Sequence, residues 1–154
     1  MKYEIVQEPL PARTLLCKQI QCLHAEVTQS LALCLPAAYQ FAVSNDIPMQ
    51  GPPITRYAEW GAGVVTLQGG VPVPAGTVAG EGLVVIELPE TTAATTVHTG
   101  PYEGLSEAHA ALEAFLLENG LESGGPAVEV YLTDPGEVPD PKDWKTSVQK
   151  PLRS

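Results

Sequence analysis

Gly125-Pro126-Ala127-Val128-Glu129-Val130-Tyr131 is the stretch on which the fold turns. The Gly-Pro pair bends the chain, and β-branched and aromatic residues then alternate as a strand does. An earlier stretch, Gly51-Pro52-Pro53-Ile54-Thr55-Arg56-Tyr57, follows the same plan. In both, Gly-Pro leads into a strand that carries a tyrosine six residues after the glycine, and in both a helical pattern comes shortly before.

Ahead of the first stretch, Val27, Leu31, Cys34, Leu35, Ala38 and Ala42 recur at helical spacing, with Phe41 on the same flank. This predicts an amphipathic helix over 25–44. Pro36 lies inside it and predicts a kink or a split, because proline removes one N–H and crowds the preceding turn. Arg13 to Leu23 reads as a strand, and Tyr3 to Val6 as a strand start. Pro9 and Pro11 interrupt the latter and suit an edge or a bulge. After the first stretch, Val64 to Leu67 and Val71 to Val73 read as the next strand and its continuation. Pro74 to Gly82 is irregular, and Leu83 to Leu88 is a β-rich apolar run.

The second stretch has a matching context. Thr91 to Thr99 reads as a strand, and Gly100-Pro101-Tyr102-Glu103-Gly104 as a turn. Leu105, Ala108, Leu112, Phe115 and Leu116 predict a helix over 103–119, stopped by Asn119-Gly120. Val128 to Leu132 is a strand, and Trp144 to Val148 a final strand closed by Pro151. The order is strand, helix, strand, strand, taken twice. It predicts an α+β fold of duplicated βαββ units with pseudo-twofold symmetry and antiparallel sheets. The halves fall at about 1–78 and 79–154 within one domain, 1–154. Units so small need each other to bury a core, and the seam between the halves is the expected ligand cleft.

Composition narrows the function. The 154 residues are 44% hydrophobic and 17% charged, too apolar for a disordered chain. Gly 14 and Pro 15 exclude a long-helix protein. The formal net charge is −10, and no Lys or Arg occurs over residues 57–141, which hold most of the 18 acidic residues. Direct nucleic-acid binding and attraction to anionic membranes are therefore disfavoured. Cationic small molecules or a basic protein surface are favoured instead. The opening Met1-Lys2-Tyr3-Glu4-Ile5 lacks the apolar stretch of a leader, and no window is apolar enough to span a membrane, so a cytoplasmic protein is expected. Cys17, Cys22 and Cys34 are odd in number and form no CxxC pair, so neither a disulfide scaffold nor a zinc site is expected.

Glu129 is the candidate functional residue. It stands in an otherwise apolar strand and alternates onto one face with Tyr131, leaving Val128, Val130 and Leu132 for packing. Its face is either solvated or turned to a cavity, where the carboxylate would meet a cation or serve as an acid or base. Trp60, Tyr57, Tyr102, Tyr131 and Trp144 fall in strand and turn segments beside the expected seam, where aromatic faces could hold cations or planar ligands. His24, His98 and His109 show no metal-ligand spacing. His109 reads as a helix-surface neighbour of Ser106. Neither a cofactor nor a metal is expected.

Together with Gly70-Val71-Pro72-Val73, Val97-His98-Thr99-Gly100-Pro101-Tyr102 and Glu129-Val130-Tyr131-Leu132-Thr133-Asp134-Pro135, the two Gly-Pro phrases resemble the GyrI-like small-molecule-binding family. That family includes the effector-binding domains of bacterial multidrug-responsive transcription activators. The resemblance implies a duplicated βαββ fold with a ligand cleft. It also implies that Glu129 meets a lipophilic cation, with Tyr131, Trp144 and Tyr102 as the aromatics around it. No helix-turn-helix is read before Tyr3, so a stand-alone member is expected. Val64 to Gln68 lacks the acidic residue that often precedes the Gly-Val-Pro-Val phrase in the family.

The expected function is therefore binding of lipophilic, cationic or planar aromatic small molecules, as a regulator-like sensor or a sequestering protein. The resemblance also allows two alternatives: a hydrolase of reactive cyclopropane-bearing toxins, with Glu129 as its catalytic carboxylate, or an inhibitor of a basic protein partner such as DNA gyrase.

Overall fold

Two α-helices are set among eight strands in the computed structural model, which describes residues 3–153. Met1, Lys2 and Ser154 lie outside the described residues, so the first two residues of the opening phrase are not placed. The strands are β1 (Val6–Leu10), β2 (Arg13–Cys22), β3 (Ile54–Trp60), β4 (Val65–Val73), β5 (Val84–Leu88), β6 (Thr91–Thr99), β7 (Val128–Tyr131) and β8 (Lys145–Pro151). The helices are α1 (Val27–Ser44) and α2 (Leu105–Glu118). The fold is α+β, with antiparallel pairing and the βαββ order taken twice, β2-α1-β3-β4 and β6-α2-β7-β8.

The chain forms two units. Pro11–Glu90 make one; the segment ending at Leu10 and the chain from Thr91 onward make the other. In the 11–90 unit the strand order is β5-β2-β4-β3, and in the other it is β1-β6-β8-β7. Each unit thus flanks the first strand of its βαββ motif with one added edge strand. β1 precedes β2 in sequence yet pairs with β6, and β5 precedes β6 yet pairs with β2. The prolines seen near the N-terminus suit this edge position. Strand β1 runs over 6–10, later than the Tyr3–Val6 start expected, and takes in Pro9, whose missing N–H is tolerated at a sheet edge.

In the 11–90 unit, α1 lays Cys34, Ala38 and Ala42 on the sheet, where Ala38 and Ala42 join Leu16, Val71, Val73 and Leu83. The helix is continuous through Pro36, contrary to a split. Interior proline costs about 3 kcal/mol. Burial of the small-residue face against β2 and β4 outweighs that loss, as tertiary packing commonly does. Gly69 of β4 allows the close approach of α1, since a Cβ there would lie 2.9 Å from Cys34 Cβ. At Gly70 a Cβ would meet the Leu16 carbonyl of the neighbouring β2. The Val64–Leu67 and Val71–Val73 runs are joined through these glycines into one nine-residue strand.

In the other unit, α2 packs Leu105, Ala108, Leu112 and Leu116 against Ala94 of β6 and Val148 of β8. Both helices stop in the same way. Leu121 N–H bonds Leu116 O at 2.9 Å beyond Gly120, which has φ 64. Ile47 N–H bonds Ala42 O at 2.9 Å beyond Asp46, which has φ 55. Each is a Schellman ending with a left-handed residue at its pivot. Asn45 and Asn119 donate side-chain amides to Phe41 O and Phe115 O respectively. No helix among the described residues is long and apolar enough to cross a membrane.

Candidate functional site

Strand β7 is buried along its whole length, with Glu129 2% exposed. A solvated face for Glu129 is therefore excluded. Leu132, expected to pack, lies past the strand end and is exposed. In the register of the sheet, Glu129 pairs with Val148, and Tyr131 with Thr146. Val148 touches α2, so Glu129 and Tyr131 share the helix-bearing face of this unit.

A buried carboxylate needs polar partners, and Glu129 has one on each oxygen. Tyr131 donates its hydroxyl to Oε1 at 2.8 Å, and His109 Nε2 lies 2.7 Å from Oε2. Helix geometry explains the second contact. His109 follows Leu105 by four residues and precedes Leu112 by three, which puts it on the flank of the α2 core stripe. The helix-surface place beside Ser106 expected for His109 is thus corrected by its contact with Glu129, and the apolar spacing around it is the sequence signal for this flank position.

Aromatic rings extend from the carboxylate. Tyr102 stands 5.5 Å from Tyr131 and 4.7 Å from Trp144, centroid to centroid, with tilted planes. Trp144 does not sit on the last strand as expected. It ends a short 3-10 turn over Pro141–Asp143, just before β8, and its indole N–H donates to Val138 O at 2.6 Å. Burial pushes the Tyr102 phenol up from its ordinary value, and the Asp134 and Glu129 carboxylates add to the rise. The same two carboxylates make this position favourable for a positive charge.

His98 fixes the turn that carries Tyr102. It is 4% exposed, and its Nε2 lies 3.0 Å from Pro101 O while its Nδ1 lies 2.8 Å from the Tyr3 hydroxyl. A carbonyl only accepts, so Nε2 carries the hydrogen and Nδ1 receives the tyrosine's. A Cβ on Gly104 would stand 2.8 Å from the same ring, so the turn needs glycine there to close. Gly100 N–H bonds Trp144 O at 2.8 Å, tying the turn to the tryptophan. Beside these groups, the Thr146 hydroxyl is fully buried with no hydrogen-bond partner among the described residues.

Of the residues named from sequence, Glu129, Tyr131, Tyr102 and Trp144 are thus brought together. Tyr57 and Trp60 belong to the 11–90 unit. There Trp60, 60% exposed, makes edge contacts with Tyr57 at 5.6 Å and His24 at 4.7 Å. His24 Nε2 lies 2.7 Å from Gly61 O, at the turn that follows β3.

Several solved structures share this fold. The C-terminal domain of EcmrR matches over 100% of this chain and 99% of its own, at 19% identity and a TM-score of 0.86. The EcmrR–DNA complex in EcmrR-RPo matches over 99% of this chain, at 19% identity and a TM-score of 0.82. This chain spans only 58% of that protein's length. SAV2435 bound to tetraphenylphosphonium matches over 100% of this chain and 95% of its own, at 15% identity and a TM-score of 0.65. At identities this low the likeness shows the fold alone. No curated protein matches the chain. The GyrI-like small molecule binding domain matches residues 21–153, nearly the whole sequence, and the chain belongs to that family.

Proposed function

We propose that the chain binds lipophilic cations and planar aromatic small molecules at Glu129 and the Tyr131–Tyr102–Trp144 row, as a sensing or sequestering module. The observation that carries this reading is a carboxylate 2% exposed, hydrogen-bonded by Tyr131 and continued by aromatic rings. Removing a carboxylate from water costs several kcal/mol, and a bound cation offsets part of that cost. Aromatic faces add about 0.5–2 kcal/mol each for a cation over the ring. The stretch without Lys or Arg over 57–141 favours the same ligands. SAV2435, similar in fold, is a structure bound to such a cation.

The experiment is a thermal-shift series with methyltriphenylphosphonium, neutral triphenylphosphine oxide and an aromatic sulfonate. A ligand that binds only the native state raises the melting temperature by mass action. The cation is expected to give the largest rise, the neutral compound a smaller one and the anion none. Equal shifts for cation and anion, or no shift with any of the three, would overturn the reading.

A further inference from the structure

We infer that His109 is a specificity-determining residue: the charge it carries sets how much negative charge Glu129 offers a ligand, and so decides between cations and neutral molecules. The inference rests on the small-molecule reading above.

Its ground is the 2.7 Å contact between His109 Nε2 and Glu129 Oε2. The imidazole is part-exposed, with 29% of its side chain open, whereas the carboxylate is 2% exposed. Solvent therefore reaches the histidine while the glutamate stays enclosed. A singly protonated ring donates one hydrogen and leaves the pair with the full negative charge of the carboxylate. A doubly protonated ring makes an internal ion pair with no net charge. Cation and imidazolium then compete for one buried anion, and the competition is strong where the dielectric is low. A neutral aromatic ligand, held by ring contact, is indifferent to which form is present.

Two tyrosines beside the pair bring no charge of their own. Tyr131 on β7 holds the other carboxylate oxygen as a neutral donor. Tyr102, on the turn before α2, has its phenol pushed up by burial and by Asp134 and Glu129, so it too stays neutral. Along α2, Glu107 and Glu113 flank His109 in sequence, and Glu113 is engaged by Lys150 of β8 at 3.2 Å.

The test fixes the charge at position 109. In His109→Gln a neutral donor remains, and in His109→Lys a permanent cation takes its place. His109→Arg supplies the same fixed charge should the lysine variant fail to fold. Titration calorimetry would follow methyltriphenylphosphonium and triphenylphosphine oxide, which share three phenyl rings and differ in charge. In the lysine or arginine variant, cation affinity is expected to fall at least about tenfold below that of His109→Gln, which is 1.4 kcal/mol. Affinity for the neutral compound should change less than about twofold across the series, and His109→Gln should keep or increase the wild-type preference for the cation. Equal cation binding by the glutamine and charged variants would overturn the inference, as would parallel losses for both ligands, which mark a packing role. In those cases the wild type still binds and the functional reading survives. A wild type that binds neither compound overturns both.

Discussion

Tyr131 Oη lies 2.8 Å from Glu129 Oε1, two residues along the same strand. One short strand thus supplies both the buried anion and a donor that holds it. Tyr131→Phe takes this one hydrogen bond from the buried carboxylate. The expected loss is about 1.5–3 kcal/mol, the usual worth of a hydrogen bond to a charged group. Chemical denaturation of the variant checks it, with wild-type stability as the contrary result.

The turn carrying Tyr102 closes over the His98 ring. In Gly104→Ala the added carbon would meet that ring at 2.8 Å, and a ring edge cannot fold away as a flexible chain end can. Destabilisation of about 1–3 kcal/mol is expected from such overpacking. A changed tryptophan emission should accompany it, because the Tyr102 ring lies 4.7 Å from that of Trp144. A variant with unchanged melting and emission would show that the turn yields without effect.

Stability should fall on the alkaline side. Burial is the main cause pushing the Cys17 thiol from 9.0 to about 12, with Cys34 adding to the rise and Arg56 opposing it. The native state therefore favours the protonated thiol. Its stabilisation is complete below about pH 9 and is lost as pH rises towards the folded value, since only the unfolded chain ionises in that window. Cys17→Ala should lower stability at neutral pH and show a shallower decline above pH 9. Parallel stability–pH curves for variant and wild type would contradict this.

Asp46 ends α1 at φ 55, where Gly120 ends α2 at φ 64. A left-handed backbone costs a non-glycine residue about 1–2 kcal/mol. Asp46→Gly relieves that strain, and extra freedom in the unfolded chain takes part of it back. A gain of up to about 1 kcal/mol is expected in urea melts; a loss would mean that the aspartate side chain stabilises the cap.

Much of the architecture was written in periodicity. Both helices, β2, β6 and the doubled strand-helix-strand-strand order could be read from apolar spacing and Gly-Pro turns. The split allowed at Pro36 does not occur, because local propensity says nothing of the Cys34–Ala38–Ala42 face that holds the helix together. Strand β1 was shifted because its partner, β6, lies far along the chain, and a period of two does not reveal pairing. A further sign of duplication stands at the helix ends: Phe41 to Ile47 and Phe115 to Leu121 share phenylalanine, asparagine, a left-handed residue and an aliphatic in the same spacing.

The candidate site was half legible. Glu129 stood out as a charge in an apolar strand, and Tyr131 followed by alternation. His109 did not, because its contact joins a helix flank to a strand and depends on tertiary packing. His98 was equally hidden, since its partners Tyr3, ahead of β1, and Pro101, in a turn, meet it only in the folded chain.

The most direct measurement is calorimetric titration of methyltriphenylphosphonium and triphenylphosphine oxide into wild type and Glu129→Gln. Glutamine keeps the shape and loses the charge. The cation should bind at least about tenfold more weakly to the variant, while the neutral compound is held within about twofold. Equal cation affinity in the two proteins would contradict the central role given to the buried carboxylate.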